Sequence, residues 1–241
     1  WAFGYVGGLL CLIWITPLIQ GGLGEENLLN FRSSFPRVAV FYTIFTIPTI
    51  LWLKEKDSKT TCLSWTKIAC HGWQQVCGTF HQARNLKPLG RFLIAFFLYN
   101  DGIATVIAFS AIYAVSTLGF SVANVITLFI LVQVSACLGA FFFGFLVDRW
   151  GAKPTLLLLL GLWCLVVLAA YFTSTQGQYF AVAVVAGIGL GSVQSASRSM
   201  MALFIPEGKN AEFYGFYGIC GKFSAILGPM TFGTISAITG N

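Results

Sequence analysis

Two ionisable side chains stand inside runs that are otherwise apolar: Asp101, within residues 91–106 (RFLIAFFLYNDGIATV), and Lys222, within residues 212–238. If both runs cross a bilayer as helices, entering from the same side near residues 89 and 211, depth follows from the helical rise. At 1.5 Å per residue, Asp101 lies roughly 18 Å and Lys222 roughly 16 Å into its helix. Each is then close to the middle of a hydrocarbon core about 30 Å thick. Charges at that depth are costly and usually face a bundle interior or a wet cavity, paired with one another. The spacing therefore predicts that Asp101 and Lys222 pair or alternate partners, and that the carboxylate can load and release a proton. A static pair that only ties two helices together is the other reading of the same residues. Asn100 and Gly102 flank Asp101, at a place where a helix can loosen and expose its backbone. Phe97, Thr105 and Ala108 share its helical face. Asn100 and Thr105 are accordingly candidates to line a solute path.

Three further runs carry small-residue stripes at helical spacing: Gln133, Cys137, Ala140 and Gly144; Gly187, Gly191, Gln194 and Arg198; and Gly215, Gly218, Lys222, Ala225 and Pro229. Small residues let helix backbones approach closely, which a static bundle needs as much as a sliding interface does. Gln133 and Gln194 are the secondary candidates for solute contacts, and Arg198 reads as an anchor at the membrane rim.

The elements that must position these residues follow from composition. Of 241 residues, 57% are hydrophobic and 9% charged, and the mean hydropathy is +0.80. A soluble domain carries about 25% charged residues, and disordered chains are poor in apolar residues. The remaining solvent is lipid. Seven segments have the length and apolarity of spans: 1–19, 36–53, 89–116, 122–147, 154–173, 178–199 and 212–238. The chain starts at Trp1 with no basic stretch ahead of the first run, so that run reads as a transmembrane helix rather than a signal peptide, and the sequence reads as a fragment. The connections at 117–121 and 174–177 are short enough to predict that the helices they join are antiparallel neighbours.

Orientation comes from the basic residues. Eleven lie on one side (Lys54, Lys56, Lys59, Lys67, Arg84, Lys87, Arg91, Arg149, Lys153, Arg198 and Lys209), against Arg32 and Arg37 on the other. The positive-inside rule places the eleven in the cytoplasm, which assigns the net charge of +6 to membrane orientation instead of nucleic acid. The 54–88 loop holds Cys70, His71, Cys77 and His81, but their spacing has no tetrahedral logic and implies no metal. Its Trp65, Trp73, Phe80 and basic residues instead suggest an amphipathic helix on the cytoplasmic leaflet. The seven cysteines are scattered and form no disulfide framework.

After the fourth span the chain reads Gly144-Phe145-Leu146-Val147-Asp148-Arg149-Trp150-Gly151-Ala152-Lys153-Pro154. Two glycines permit a sharp turn, Pro154 suits the first turn of a new helix, and Asp148 can sit against a helix N-terminus. This G-x-L-x-D-R-x-G-x-K spacing resembles the signature loop of the major facilitator superfamily. The resemblance implies a conformational latch made by Gly144, Asp148, Arg149, Gly151 and Lys153. Ala152 departs from it, standing where a basic residue is usual. Gly4-Tyr5-Val6-Gly7-Gly8, Tyr99-Asn100-Asp101-Gly102, Ser197-Arg198-Ser199, Glu212-Phe213-Tyr214-Gly215 and Gly228-Pro229 are together similar to the vacuolar, autophagy-related amino-acid effluxer family and its prokaryotic relatives. That resemblance implies helices five to eleven of twelve. Residues 1–53 would end an N-terminal bundle, 54–88 would link the bundles, and 89–241 would form a C-terminal bundle lacking its last helix.

The expectation is an all-α polytopic membrane bundle, a partial major facilitator fold with about seven transmembrane helices. It would act as a secondary transporter of small solutes by alternating access, with amino acids the class implied by the resemblance and protons the coupling ion suited to Asp101. A non-transporting receptor or scaffold is the alternative. The chain shows no H-E-x-x-H or G-x-S-x-G pattern and no His-carboxylate cluster at membrane depth, so neither enzyme activity nor a cofactor is expected. The partners expected are the solute, protons and the lipid bilayer, with no nucleic acid. The compact loops favour a plasma or inner membrane, with the vacuolar membrane as the alternative.

Overall fold

In the computed structural model, the described residues are 2–19, 27–53, 87–206 and 208–239, with isolated positions 66, 70, 72, 74 and 78. The amphipathic helix expected in the 54–88 stretch lies outside that set. Among the described residues seven long helices follow one another: α1 (Ala2–Ile19), α2 (Leu28–Trp52), α3 (Lys87–Ser116), α4 (Val122–Trp150), α5 (Ala152–Tyr171), α6 (Gln176–Ala202) and α7 (Asn210–Thr239). The first six are long and apolar enough to cross a membrane. The seventh has the length, but Glu212, Lys222 and its many Gly, Ser and Thr residues dilute its apolarity. The expected all-α membrane bundle is what forms.

Several boundaries moved for local reasons. α2 begins eight residues before the expected span, because Asn-Phe-Arg-Ser-Ser-Phe-Pro-Arg is too polar to register as membrane-spanning and still continues the helix. Helix α4 runs through Asp148, Arg149 and Trp150, so Gly144 is mid-helix and half-buried rather than part of a turn. The turn is made by Gly151 alone, at φ +92°, a left-handed conformation that glycine adopts without a Cβ penalty. Pro154 does fall in the first turn of α5, and the Thr155 hydroxyl donates to the Gly151 carbonyl at 2.9 Å. At the opposite ends, Ser121 caps α4 by accepting the Asn124 N–H, and Thr175 caps α6 by accepting that of Gln178.

Helix partners are set by surface shape more than by order along the chain. Helices α5 and α6 are neighbours, as their short connection predicts. Helices α3 and α4 are not, despite an equally short link, and touch only slightly. Instead α4 packs on α6 and α1, while α3 packs on α7. The main core joins Phe92 and Phe96 of α3, Leu159 and Trp163 of α5, Ala196 and Met201 of α6, and Phe213 of α7. A smaller cluster around Ala114, Phe120, Leu128, Tyr179 and Ala183 closes the other end. Outward faces carry large apolar side chains such as Ile50, Leu138, Phe142 and Leu165, as lipid requires.

Candidate functional site at the α3–α7 interface

The intramembrane carboxylate is held by backbone. Pro229 lies inside α7, which continues past it; it has no N–H, so the carbonyl four residues earlier loses its helical donor. Beside this proline the Gly228 N–H donates to Asp101 Oδ1. One residue earlier on α3, Asn100 Nδ2 donates to Ser224 Oγ at 2.7 Å and to the Gly221 carbonyl at 3.2 Å. Ser224, fully buried, donates in turn to that carbonyl at 2.9 Å. The Thr105 hydroxyl donates to the Asp101 carbonyl within α3, at 2.8 Å. A Cβ at Gly228 would run into the Thr105 hydroxyl and the Asp101 carboxylate, so this glycine is what lets the two helices meet.

Asp101, Asn100 and Thr105 therefore belong to one polar cluster, as the sequence suggests. The expected ion pair does not form: among the described residues no salt bridge joins Asp101 to Lys222, whose side chain is exposed. The physical reason is azimuth. Phe213, Tyr217, Gly221, Ser224 and Gly228 follow the helical repeat on the α3-facing side of α7, and at about 100° per residue Lys222 points well away from it. Register adds to this, since Gly228, six residues beyond Lys222, is the one opposite Asp101. The near-equal level expected of Asp101 and Lys222 is thus not met, and neither is the direction.

Above and below the cluster the α3–α7 contact is aromatic. Phe96 stacks on Tyr217 with ring centroids 4.2 Å apart, and Phe109 meets Phe232 at 4.3 Å. Tyr99 ties the pair to α6 through a 2.7 Å hydrogen bond with the buried Ser197 hydroxyl. At the helix ends, the Arg198 guanidinium lies over the Tyr214 ring, 4.8 Å from its centroid, a cation–π contact linking α6 to α7. The Gly228–Pro229 pair and the partners Ser224, Gly221 and Ser197 complete this interface, and none of them was among the solute-path candidates read from the sequence. A proline behind a glycine inside an apolar run was the signal for the first.

The other candidates lie elsewhere. Gln133 is half-buried on α4, and its Nε2 sits against Gly8 of α1, where an added Cβ would displace it. It helps line a cavity of about 550 Å³ between α1, α2 and helices α3 to α6. Gln194 is half-buried on α6 and does not line that cavity. Asp148, Arg149 and Lys153 are exposed around the α4–α5 turn, remote in sequence and partners from Asp101. The α4 stripe that packs on α6 is Val132, Ser135, Ala136 and Gly139, one helical step from the expected Gln133-Cys137-Ala140-Gly144 set. On α6 the expected Gly187 and Gly191 are indeed the points of closest approach. The indole Nε1 of Trp163, packed against Gly189, is the one fully buried side-chain polar atom without a partner among the described residues.

Comparison with known proteins places the whole chain, residues 1–241, under the family model "Vacuole effluxer Atg22 like". Similar proteins include the uncharacterized MFS-type transporter YxiO of Bacillus subtilis, 30% identical over 98% of this chain and 55% of its own length. Autophagy-related protein 22 of Saccharomyces cerevisiae is 31% identical over all of this chain and 51% of its own length. The Yarrowia lipolytica protein of that name is 28% identical, over 100% and 45% respectively. The chain thus spans about half the length of the curated relatives it matches. No solved structure matches it.

Proposed function

The chain belongs to the vacuole effluxer Atg22-like family, and from that premise we propose that it forms part of a secondary active transporter moving small solutes by alternating access. The observation that carries this reading is the engagement of Asp101 with the backbone of α7 beside an internal proline. A carboxylate at membrane depth is costly and marks a pathway or relay. Here it accepts a backbone N–H next to Pro229, where α7 lacks one helical hydrogen bond. A hydrogen bond to an ionised carboxylate is about twice as strong as a neutral one. Protonating Asp101 would therefore loosen α7 from α3, and deprotonating it would restore the contact, which couples a proton to helix movement without chemistry on the solute.

Amino acids are the solute class suggested by the family resemblance, and the Gly144–Lys153 segment, with Asp148 and Arg149 at the end of α4, is the proposed conformational latch. A bacterial plasma membrane is favoured by the alignment to YxiO, which runs over 241 residues, against 270 and 274 for the fungal relatives. The test uses the complete gene product in proteoliposomes with an imposed pH gradient and a panel of labelled amino acids. Replacing Asp101→Asn keeps an acceptor for the Gly228 N–H but removes the titrating group. It should abolish gradient-driven uptake and spare solute exchange; uptake equal to wild type would refute the coupling.

A further inference from the structure

We propose that the face of α7 carrying Lys222 is a helix-docking surface. Its occupant is a transmembrane helix from the part of the gene product outside residues 1–241, with an Asp or Glu of that helix paired to the Lys222 ammonium. At 100° per residue, the side chains of α7 sort into three faces about 120° apart. Phe213, Tyr217, Ser224 and Gly228 make the face toward α3. Ile219, Phe223, Ile226 and Met230 are large, apolar and exposed, like the outward residues of the other helices. The third face holds Gly215, Gly218, Lys222 and Ala225, all exposed. A Cβ added at Gly215 or Gly218 would meet nothing within 4 Å.

That third face has the composition of a helix contact and nothing against it. Elsewhere in the bundle a glycine stripe is where another backbone arrives: Gly187 meets Val132, and Gly191 meets Ala136. Small residues permit such close approach, and on this side of α7 no described residue takes up the room. Lys222 stands in the middle of the stripe. The Gly221 carbonyl beside it accepts from Asn100, near the middle of α3. Lys222 is therefore deep in the bundle, far from the helix ends where a lysine can snorkel to water. A charge at that depth is costly unless it is paired. The acids of the described residues are placed elsewhere: Asp101 on the Gly228 N–H, Asp148 near the end of α4 and Glu212 in the first turn of α7. The counter-charge must then come from other polypeptide. This chain covers 55% of YxiO and 51% of the Saccharomyces cerevisiae relative, so a gene product of their size has the chain to supply it. A second copy fits worse. A two-fold contact through the same stripe sets one Lys222 against the other, adding a like charge where an opposite one is needed.

The test treats the complete gene product, purified in detergent, with dicyclohexylcarbodiimide, which enters apolar regions and activates carboxyl groups. The Lys222 amine displaces dicyclohexylurea from an activated carboxyl in contact with it, so an amide forms and the pair loses water. Peptide mass spectrometry should find the Lys222 peptide joined to one from outside residues 1–241, in protein that runs as a monomer on a denaturing gel. Thermal melts read the same contact by sign. Lys222→Leu should lower Tm by several degrees, since loss of one partner leaves the other charge buried alone. Lys222→Arg, which keeps the charge, should recover most of that loss. A lysine facing lipid behaves in the opposite way, because replacing it removes a costly charge and raises Tm. A link to Asp101, a link between two copies, no link at all, or a Tm that does not fall in Lys222→Leu would each overturn the proposal. None of these readouts involves solute movement. Their failure would leave the transporter reading intact, and failure of uptake would leave the docking surface intact.

Discussion

Helices α4 and α6 and helices α3 and α7 are two pairs of similar length that hold together by opposite means. Between α4 and α6 the contact is backbone on backbone. Gly139 meets Ile188, Gly187 meets Val132 and Ser135, and Gly191 meets Ala136. The hydroxyls there, Ser135 and Ser192, are turned back onto carbonyls of their own helices, and the polar bridge between the two, Asn124 to Gln176 at 3.3 Å, lies at their ends. Close approach of small residues gives many dispersion contacts and no alternative register of equal quality. Between α3 and α7 the middle is polar: Asn100 bridges to Ser224 and Gly221, and Asp101 holds Gly228 beside a proline. Hydrogen bonds in membranes are worth modest amounts, on average about 0.6 kcal/mol, because freed groups find other partners. A pair joined that way can exchange contacts at small cost, whereas a pair joined by interlocked backbones cannot. One bundle thus contains a rigid seam and an adjustable one, and the titratable group stands at the adjustable seam.

The same substitution should separate the two. Gly191→Ala drives a Cβ into the Ala136 carbonyl, where only backbone can yield; overpacking of this kind costs about 1–3 kcal/mol. Thermal unfolding in detergent should show the largest drop in Tm of this set, with uptake lost in proportion to folded protein. Asn100→Ala removes both bridges to α7 and should destabilise by about 1 kcal/mol, read from the same melts. Gly228→Ala presses only on the Thr105 and Asp101 side chains, which can rotate, so its stability cost should be about 1 kcal/mol or less. Its uptake should nevertheless fall more than its Tm, and Thr105→Ala in the same chain should recover part of it. A Tm loss equal to that of Gly191→Ala would erase the distinction between the seams. The smallest effect is expected of Arg198→Ala, which removes an exposed cation–π contact worth about 0.5–1 kcal/mol and should leave uptake close to wild type.

Much of this was legible in the residues. Apolar run length located the helices, since a chain in lipid must satisfy its backbone within each span, and the isolated Asp101 announced itself by its cost. Asn100 and Thr105, its neighbours on α3, share its hydrogen-bonded cluster. Boundaries were less legible where a polar stretch continues a helix, as at residues 28–35 and 148–150. Hydropathy senses the solvent, and the helix ends where hydrogen bonding ends.

What the sequence determined by itself was the solvent and the number and rough limits of the helices, both consequences of composition read along one dimension. Only the tertiary structure decided which helix lies against which and what each polar group faces. It separated α3 from α4, turned Lys222 away from Asp101, and gave Asp101 a backbone N–H where a side-chain ammonium was expected. Those outcomes depend on rotation about the helix axis and on the fit of small residues between helices. A shift of one residue turns a side chain by about 100°, and that rotation is set by packing.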